Sequence, residues 1–188
     1  MNRCLKNNNW PLKAALFSLV LSLPLPSLAE SASAQVGFSP EGTAQQLVFN
    51  VIDSAKSSIR MIGYNFTAKD IAQALISAKK RGVDVKVVLD HKENQNRYSQ
   101  AVMNLLVNAH IAVRTSSYYK IQHDKVIIVD GKHVETGSFN FTSSAEKYNS
   151  ENAIVMWNAP QMANEYLQHW QSRCLKTCCY KIDSKKIL

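Results

Sequence analysis

The chain has 188 residues, 46% of them hydrophobic and 19% charged, with 22 basic residues against 14 acidic ones and a net charge of +8. That balance favours polyanionic partners while remaining compatible with an ordinary soluble surface. Once the N-terminal segment is set aside about 155 residues remain, which excludes two well-cored domains and is ample for one.

Residues 1–29 contain Arg3, Lys6 and Lys13, no acidic residue, and an apolar run from Ala14 that ends in Ser27-Leu28-Ala29. This is the layout of a secretory signal peptide. The run covers 16 residues and is interrupted by Pro24 and Pro26, whereas a membrane span needs about 20. Ala32-Ser33-Ala34 offers a second cleavage site, so the mature chain is expected to begin after Ala29 or as late as residue 34. Export would place the protein in the periplasm or outside the cell. Leaving out the three basic residues of that segment leaves 19 against 14 acidic ones, a net charge of +5.

Ser39-Pro40 can open a helix with proline at its first position, and Ala44, Leu47, Val48, Val51, Ile52 and Ala55 then recur at helical spacing. Ile59 to Tyr64 reads as a strand. Thr67 with Asp70 makes a capping box for a helix whose buried stripe is Ile71, Ala74, Leu75 and Ala78, stopped by Gly82. Lys79, Lys80 and Arg81 at its end complement the helix dipole. Val83 to Leu89 is the next strand, and this strand–helix–strand unit should cross over into parallel neighbours. A helix over 99–109, a strand over 111–113, a hairpin over 123–140, a strand at 153–157 and a helix with Ala163, Tyr166, Leu167 and Trp170 on one face follow. The predicted fold class is α/β, a mixed β-sheet sandwiched between helices.

A single catalytic domain is expected over 36–173, with a C-terminal tail over 174–188. The tail carries Cys174, Cys178 and Cys179. Three cysteines allow at most one internal bridge, and the lack of a second pair or a following histidine argues against zinc.

The hairpin carries the chemistry. His123-Asp124-Lys125 leads a β-branched run from Val126 to Val129, Asp130-Gly131 is a strong hairpin signal, and Gly137-Ser138-Phe139-Asn140 follows. Two antiparallel strands over 123–130 and 133–140 would set His123 opposite Ser138 if the loop is Asp130-Gly131, or opposite Asn140 if it is Gly131-Lys132. His123 and Lys125, two apart, share a face of the pleat. A neutral imidazole can act as nucleophile or base, and an ammonium with amide and hydroxyl donors suits the non-bridging oxygens of a phosphate. The cluster therefore points to phosphoryl chemistry.

HxKxxxxD with a trailing GSxN, here His123 to Asn140, resembles the signature of the phospholipase D superfamily. The likeness extends from Val36 through Trp157, including Ser58 to Thr67, Lys80 to Asp90 and Tyr148 to Ala153, and is greatest to the small, single-motif, secreted bacterial branch of EDTA-resistant endonucleases. The resemblance implies a phospholipase D-like fold and a metal-independent, non-specific endonuclease that hydrolyses DNA, with RNA as a further substrate. It implies two motifs per active site, one histidine attacking phosphorus to form a phosphohistidine and the other protonating the leaving oxygen. One chain supplies half of that. A homodimer with the active site on its two-fold axis is therefore expected, because an isologous interface sets two copies of His123, Lys125, Ser138 and Asn140 face to face.

Within the resemblance His123, Lys125 and Glu151 are the catalytic residues, Glu151 being the acidic partner that orients the imidazole. Lys125, Ser138 and Asn140 would bind the phosphate. Asp130 and Gly137 are structural members of the motif, Asp130 sitting where a hairpin turn wants aspartate. No cofactor and no metal is expected, since two lysines would neutralise the phosphate and the acidic residues form no recognisable two-metal cluster. His91, His110, His133 and His169 lie in no constellation and read as background.

Two other functions remain open from sequence. A phospholipase D cleaving phosphatidylcholine or cardiolipin headgroups uses the same chemistry, although the mature chain has no basic amphipathic helix with an exposed aromatic face. A non-catalytic DNA-binding protein of a transfer system would also be basic, but has no need of His123 and Lys125.

Overall fold

A computed structural model describes residues 31–182. The expected signal peptide, residues 1–29, and the last part of the expected tail, residues 183–188, lie outside the described residues.

The strands are β1 (Ser33–Ser39), β2 (Ser58–Gly63), β3 (Asp84–Asp90), β4 (Ala112–Ser116), β5 (Lys125–Val129), β6 (His133–Gly137), β7 (Glu151–Trp157) and β8 (Cys178–Cys179). The helices are α1 (Thr43–Ser54), α2 (Lys69–Lys80), α3 (Arg97–Asn108), the short α4 (Ser143–Lys147) and α5 (Pro160–Cys174). All eight strands form one sheet in the order β1-β7-β6-β5-β2-β3-β4-β8. β2, β3 and β4 are parallel and every other neighbouring pair is antiparallel.

β5 is buried along its whole length, and successive side chains of it and its neighbours alternate between two cores. On one face Ile59, Met61, Val87, Ile127, Val129 and Val155 pack with the apolar stripes of α1, α2 and α3. On the other, Ile62, Val88, Val126, Ile128 and Val134 pack under Ala163 and Trp170 of α5. This is the predicted mixed sheet between helices. Trp170 also donates its indole N–H to the carbonyl of Met61 at 3.1 Å, which fixes α5 along β2.

Several local expectations are corrected. Ser39 does not open a helix: it ends β1 opposite Glu151, and α1 starts at Thr43 behind Gly42 in a left-handed conformation. The predicted stripe from Ala44 to Ile52 is nonetheless buried. Thr67 does not cap α2, whose N-cap is Ala68 without a side-chain bond, and Asp70 accepts from its own neighbour Ile71 N–H. α3 instead has the cap that sequence reading missed, Asn96, which accepts from the N–H groups of Tyr98 and Ser99. The sheet extends past both ends of 36–173, taking in β1 from Ser33 and β8, which pairs with the edge of β4. No helix among the described residues is long and apolar enough to cross a membrane.

Candidate active site

The carboxyl ends of β2 and β3, the start of β5, the end of β6 and the start of β7 all meet at one edge of the sheet. Crevices at such edges are where open α/β sheets bind ligands. The hairpin that leads there differs in register from either predicted alternative. Val129 pairs with His133 and Val126 with Thr136, so the loop is Asp130-Gly131-Lys132. Asp130 and Gly131 both have positive φ (53° and 65°), as primed hairpin turns require, and Lys132 N–H closes on the Val129 carbonyl at 3.0 Å. Lys132 is one residue more than the two-residue loop needs. His123 consequently stands in line with neither Ser138 nor Asn140, and it precedes β5 rather than lying in it.

The GSxN residues reach the site by another route. After Gly137 the ladder breaks, because Ser138 and Phe139 both donate their N–H to the carbonyl of Asn152 at 3.1 Å. Such a bulge re-aims side chains: Phe139 enters the core while Ser138 is exposed. Gly137 is required here, since a Cβ would overlap the Asn152 carbonyl oxygen.

The His123 imidazole is exposed and makes no hydrogen bond within the chain among the described residues; its ring meets the edge of Tyr64 at 4.6 Å. Lys125 is buried, with Nζ donating to the His123 carbonyl at 2.8 Å and lying 5.4 Å from the Tyr64 ring centre. Desolvation lowers its pKa, and the carboxylates of Glu151 and Asp124 act against that. Its neighbour on β2 is Gly63, and one step beyond the Val126–Thr136 pair it stands opposite Gly137. Ser138 Oγ accepts from Asn152 N–H at 3.0 Å. Asn140 Oδ1 is buried without a partner among the described residues, at the wall of a cleft of about 890 Å³ that also touches Tyr64, Asn65, Tyr98 and Lys147. Glu151 begins β7, and its Oε1 accepts from Asn149 Nδ2 at 2.9 Å; in the single chain its partner is thus Asn149 and not His123.

Asp130 sits at the other end of β5, about 17 Å along the strand from the site. Its carboxylate accepts from the N–H groups of Lys56, Ser57 and Ser58 and from Ser57 Oγ, all at 2.8 Å. Those bonds outweigh desolvation and hold its pKa below the usual value. It anchors the loop between α1 and β2 in addition to building the turn.

Sequence reasoning missed three residues that contact the segment 122–124: Tyr64 against His123, Asp90 against Gln122 and His169 against Asp124. Tyr64 ends the β2 region and is itself bonded to Glu93 at 3.0 Å. Asp90, buried at the end of β3, accepts from Gln122 N–H and Glu93 N–H at 2.8 Å. His169, read as background, lies 2.9 Å through Nε2 from Asp124 Oδ1. Only the aromatic ending of the β2 run was a signal available beforehand. No group of three or more His, Cys, Asp or Glu residues is placed to hold a metal ion among the described residues.

An exposed imidazole, a buried ammonium, a hydroxyl and an amide thus lie at the same edge of the sheet, around the ends of β2, β5, β6 and β7, the groups that nucleophilic attack on a phosphate would use. Residues 48–174 match the family described as cardiolipin synthase, PLD-like domain. The crystal structure of the phospholipase D family member Nuc from Salmonella typhimurium is similar, with 58% identity, a TM-score of 0.80, and coverage of 80% of this chain and 99% of that one. A protein of Rickettsia bellii called phospholipase D is 42% identical over 136 residues, 72% of this chain, and the chain spans only 66% of that relative's length. The mitochondrial cardiolipin hydrolase of Danio rerio is 32% identical over 124 residues, 63% of this chain and 53% of its own.

Proposed function

The chain belongs to the phospholipase D superfamily, and on that premise we propose that it is a phosphodiesterase whose substrate is nucleic acid. The observation that carries the chemistry is the His123 imidazole, exposed and free of hydrogen bonds among the described residues, in the same segment as the buried Lys125 ammonium. In this reading His123 attacks phosphorus and forms a phosphohistidine. Lys125, Ser138 and Asn140 neutralise and hold the non-bridging oxygens, and water then releases the second product. Glu151, whose Oε2 has no hydrogen bond among the described residues, orients an imidazole once the site is complete.

Because one chain has one such histidine, the leaving oxygen takes its proton from His123 of a second copy across a two-fold interface. Two coupled imidazoles in opposite protonation states give a bell-shaped pH profile. The basic balance, and the likeness to Nuc over almost all of that protein's length, support nucleic acid held through its phosphates. The signal-like segment supports action in the periplasm or outside the cell.

A lipid phosphodiester is the second reading. Tyr118 and Ile121, 64% and 52% exposed in the loop that leads to His123, favour it as residues able to sit at a lipid surface.

The test is nicking of supercoiled plasmid in EDTA by the purified protein and by His123→Ala, beside hydrolysis of cardiolipin and phosphatidylcholine vesicles. Plasmid cleavage by the wild type alone is expected. Vesicle hydrolysis without nicking would replace the substrate, and DNA binding without cleavage of either would overturn the enzymatic reading. Light scattering showing a fully active monomer would refute the shared site.

A further inference from the structure

The segment 117–124, which carries His123, belongs to no strand or helix. Its position therefore depends on individual bonds to the body of the fold. Gln122 N–H is held by Asp90 Oδ2 at 2.8 Å, and the His123 carbonyl by Lys125 Nζ at 2.8 Å. On the other side of the sheet Asp124 Oδ1 meets His169 Nε2 at 2.9 Å. His169 sits on α5 next to Trp170, whose buried indole is bonded to Met61 and stacked under the Arg60 guanidinium at 5.5 Å. The helix is thus fixed against β2, and it presents the imidazole from a rigid element to a segment that has none of its own.

We propose that His169 is a positioning residue for His123, acting through Asp124. The inference rests on the reading of His123 as the nucleophile. Asp124 lies between the two residues of the motif, so tethering its side chain to α5 restrains the backbone that carries the imidazole. Its carboxylate also acts on the Lys125 ammonium. Bonding to His169 commits that carboxylate to α5 and leaves Lys125 directed at the His123 carbonyl and the phosphate. A displacement of about 1 Å at a reacting group can reduce turnover on the order of a hundredfold.

Three variants test this: His169→Phe removes the bond while filling the space, whereas His169→Gln keeps an amide donor to the Asp124 carboxylate and Asp124→Asn keeps a neutral donor–acceptor pair. Two readouts are taken. One is kcat and KM on plasmid or on a chromogenic phosphodiester. The other is the NMR shift of the His123 ring protons, assigned with His123→Ala, which the Tyr64 ring 4.6 Å away displaces by its ring current. The expected result for His169→Phe is a fall in kcat of about tenfold or more with KM within twofold, together with loss of the Tyr64-induced shift. His169→Gln and Asp124→Asn should stay near the wild type in both.

An unchanged His123 shift and kcat in folded His169→Phe would overturn the proposal, as would equal losses in all three variants. Should His169→Phe fail to fold, Asp124→Ala replaces it with the same two outcomes. If the wild type cleaves no phosphodiester, the proposed function fails, but the ring-current shift still decides whether His169 positions His123.

Discussion

Glu135 offers a measurement that reads burial directly. It lies on β6 between Ile127 of β5 and Val155 of β7, on the face covered by α1 to α3, and is fully buried. Neither carboxylate oxygen has a hydrogen-bond partner among the described residues, and desolvation pushes its pKa well above the ordinary 4.5. The folded protein therefore keeps the proton while the unfolded chain releases it near 4.5. Stability from this group is intact below that value and falls as pH rises towards the folded pKa. The loss continues only until the folded group also ionises, so between pH 5 and pH 7 it can reach at most about 2.5 kcal/mol, a limit set by the unfolded value alone. Glu135→Gln has nearly the same shape and cannot ionise, so this loss disappears in the variant. The assay is urea or thermal unfolding of both proteins at pH 5 and pH 7. The advantage of Glu135→Gln should grow over that interval, by no more than about 2.5 kcal/mol or roughly 5–10 °C in Tm. A difference that does not change with pH would refute the reasoning, because it would mean that Glu135 ionises equally easily in both states.

Three further outcomes are expected. Asp130→Ala strips the acceptor from four bonds far from the site and should cost about 2–3 kcal/mol in denaturant unfolding, with kcat of the folded fraction unchanged; since its folded pKa is depressed, the wild-type advantage should fade on acidification below the usual carboxylate value. Gly137→Ala drives a methyl group into the Asn152 carbonyl and should cost about 2 kcal/mol or more, with activity lost as Ser138 is displaced. Asn96→Ala removes the α3 cap and should lower stability by about 1 kcal/mol without altering cleavage, read by unfolding and nicking on the same samples.

The elements were legible where hydrophobic period and punctuation agreed. The stripe Leu47, Val48, Val51 and Ile52, the strand before Tyr64 and the helix stopped by Gly82 all follow from local pattern. β1 was passed over although it alternates, because the Ser39-Pro40 pair was read as a helix start and because its burial is inverted, with Val36 and Phe38 exposed at the sheet edge and Gly37 and Ser39 buried. β8 has only two residues and exists through its pairing with β4. At the site the residue types could be read but not their alignment. A single extra loop residue, Lys132, changes which side chains face each other, and the bulge at Asn152 then restores Ser138 to the crevice by a path that no spacing rule encodes. The Asp124–His169 contact joins distant segments through α5, so neither residue carries a mark of it in its own neighbourhood.

Lys125 lies in the ladder between two residues without side chains, Gly63 and Gly137. A Cβ at Gly63 would press on Leu89 and Phe141, just as one at Gly137 would press on Asn152. The pattern that defines this site is therefore wider than a contiguous stretch of letters. It includes a glycine at the end of a strand far upstream, and a search profile that asked for that small residue beside the lysine would recognise a usable ammonium slot where the linear signature alone records only a charge.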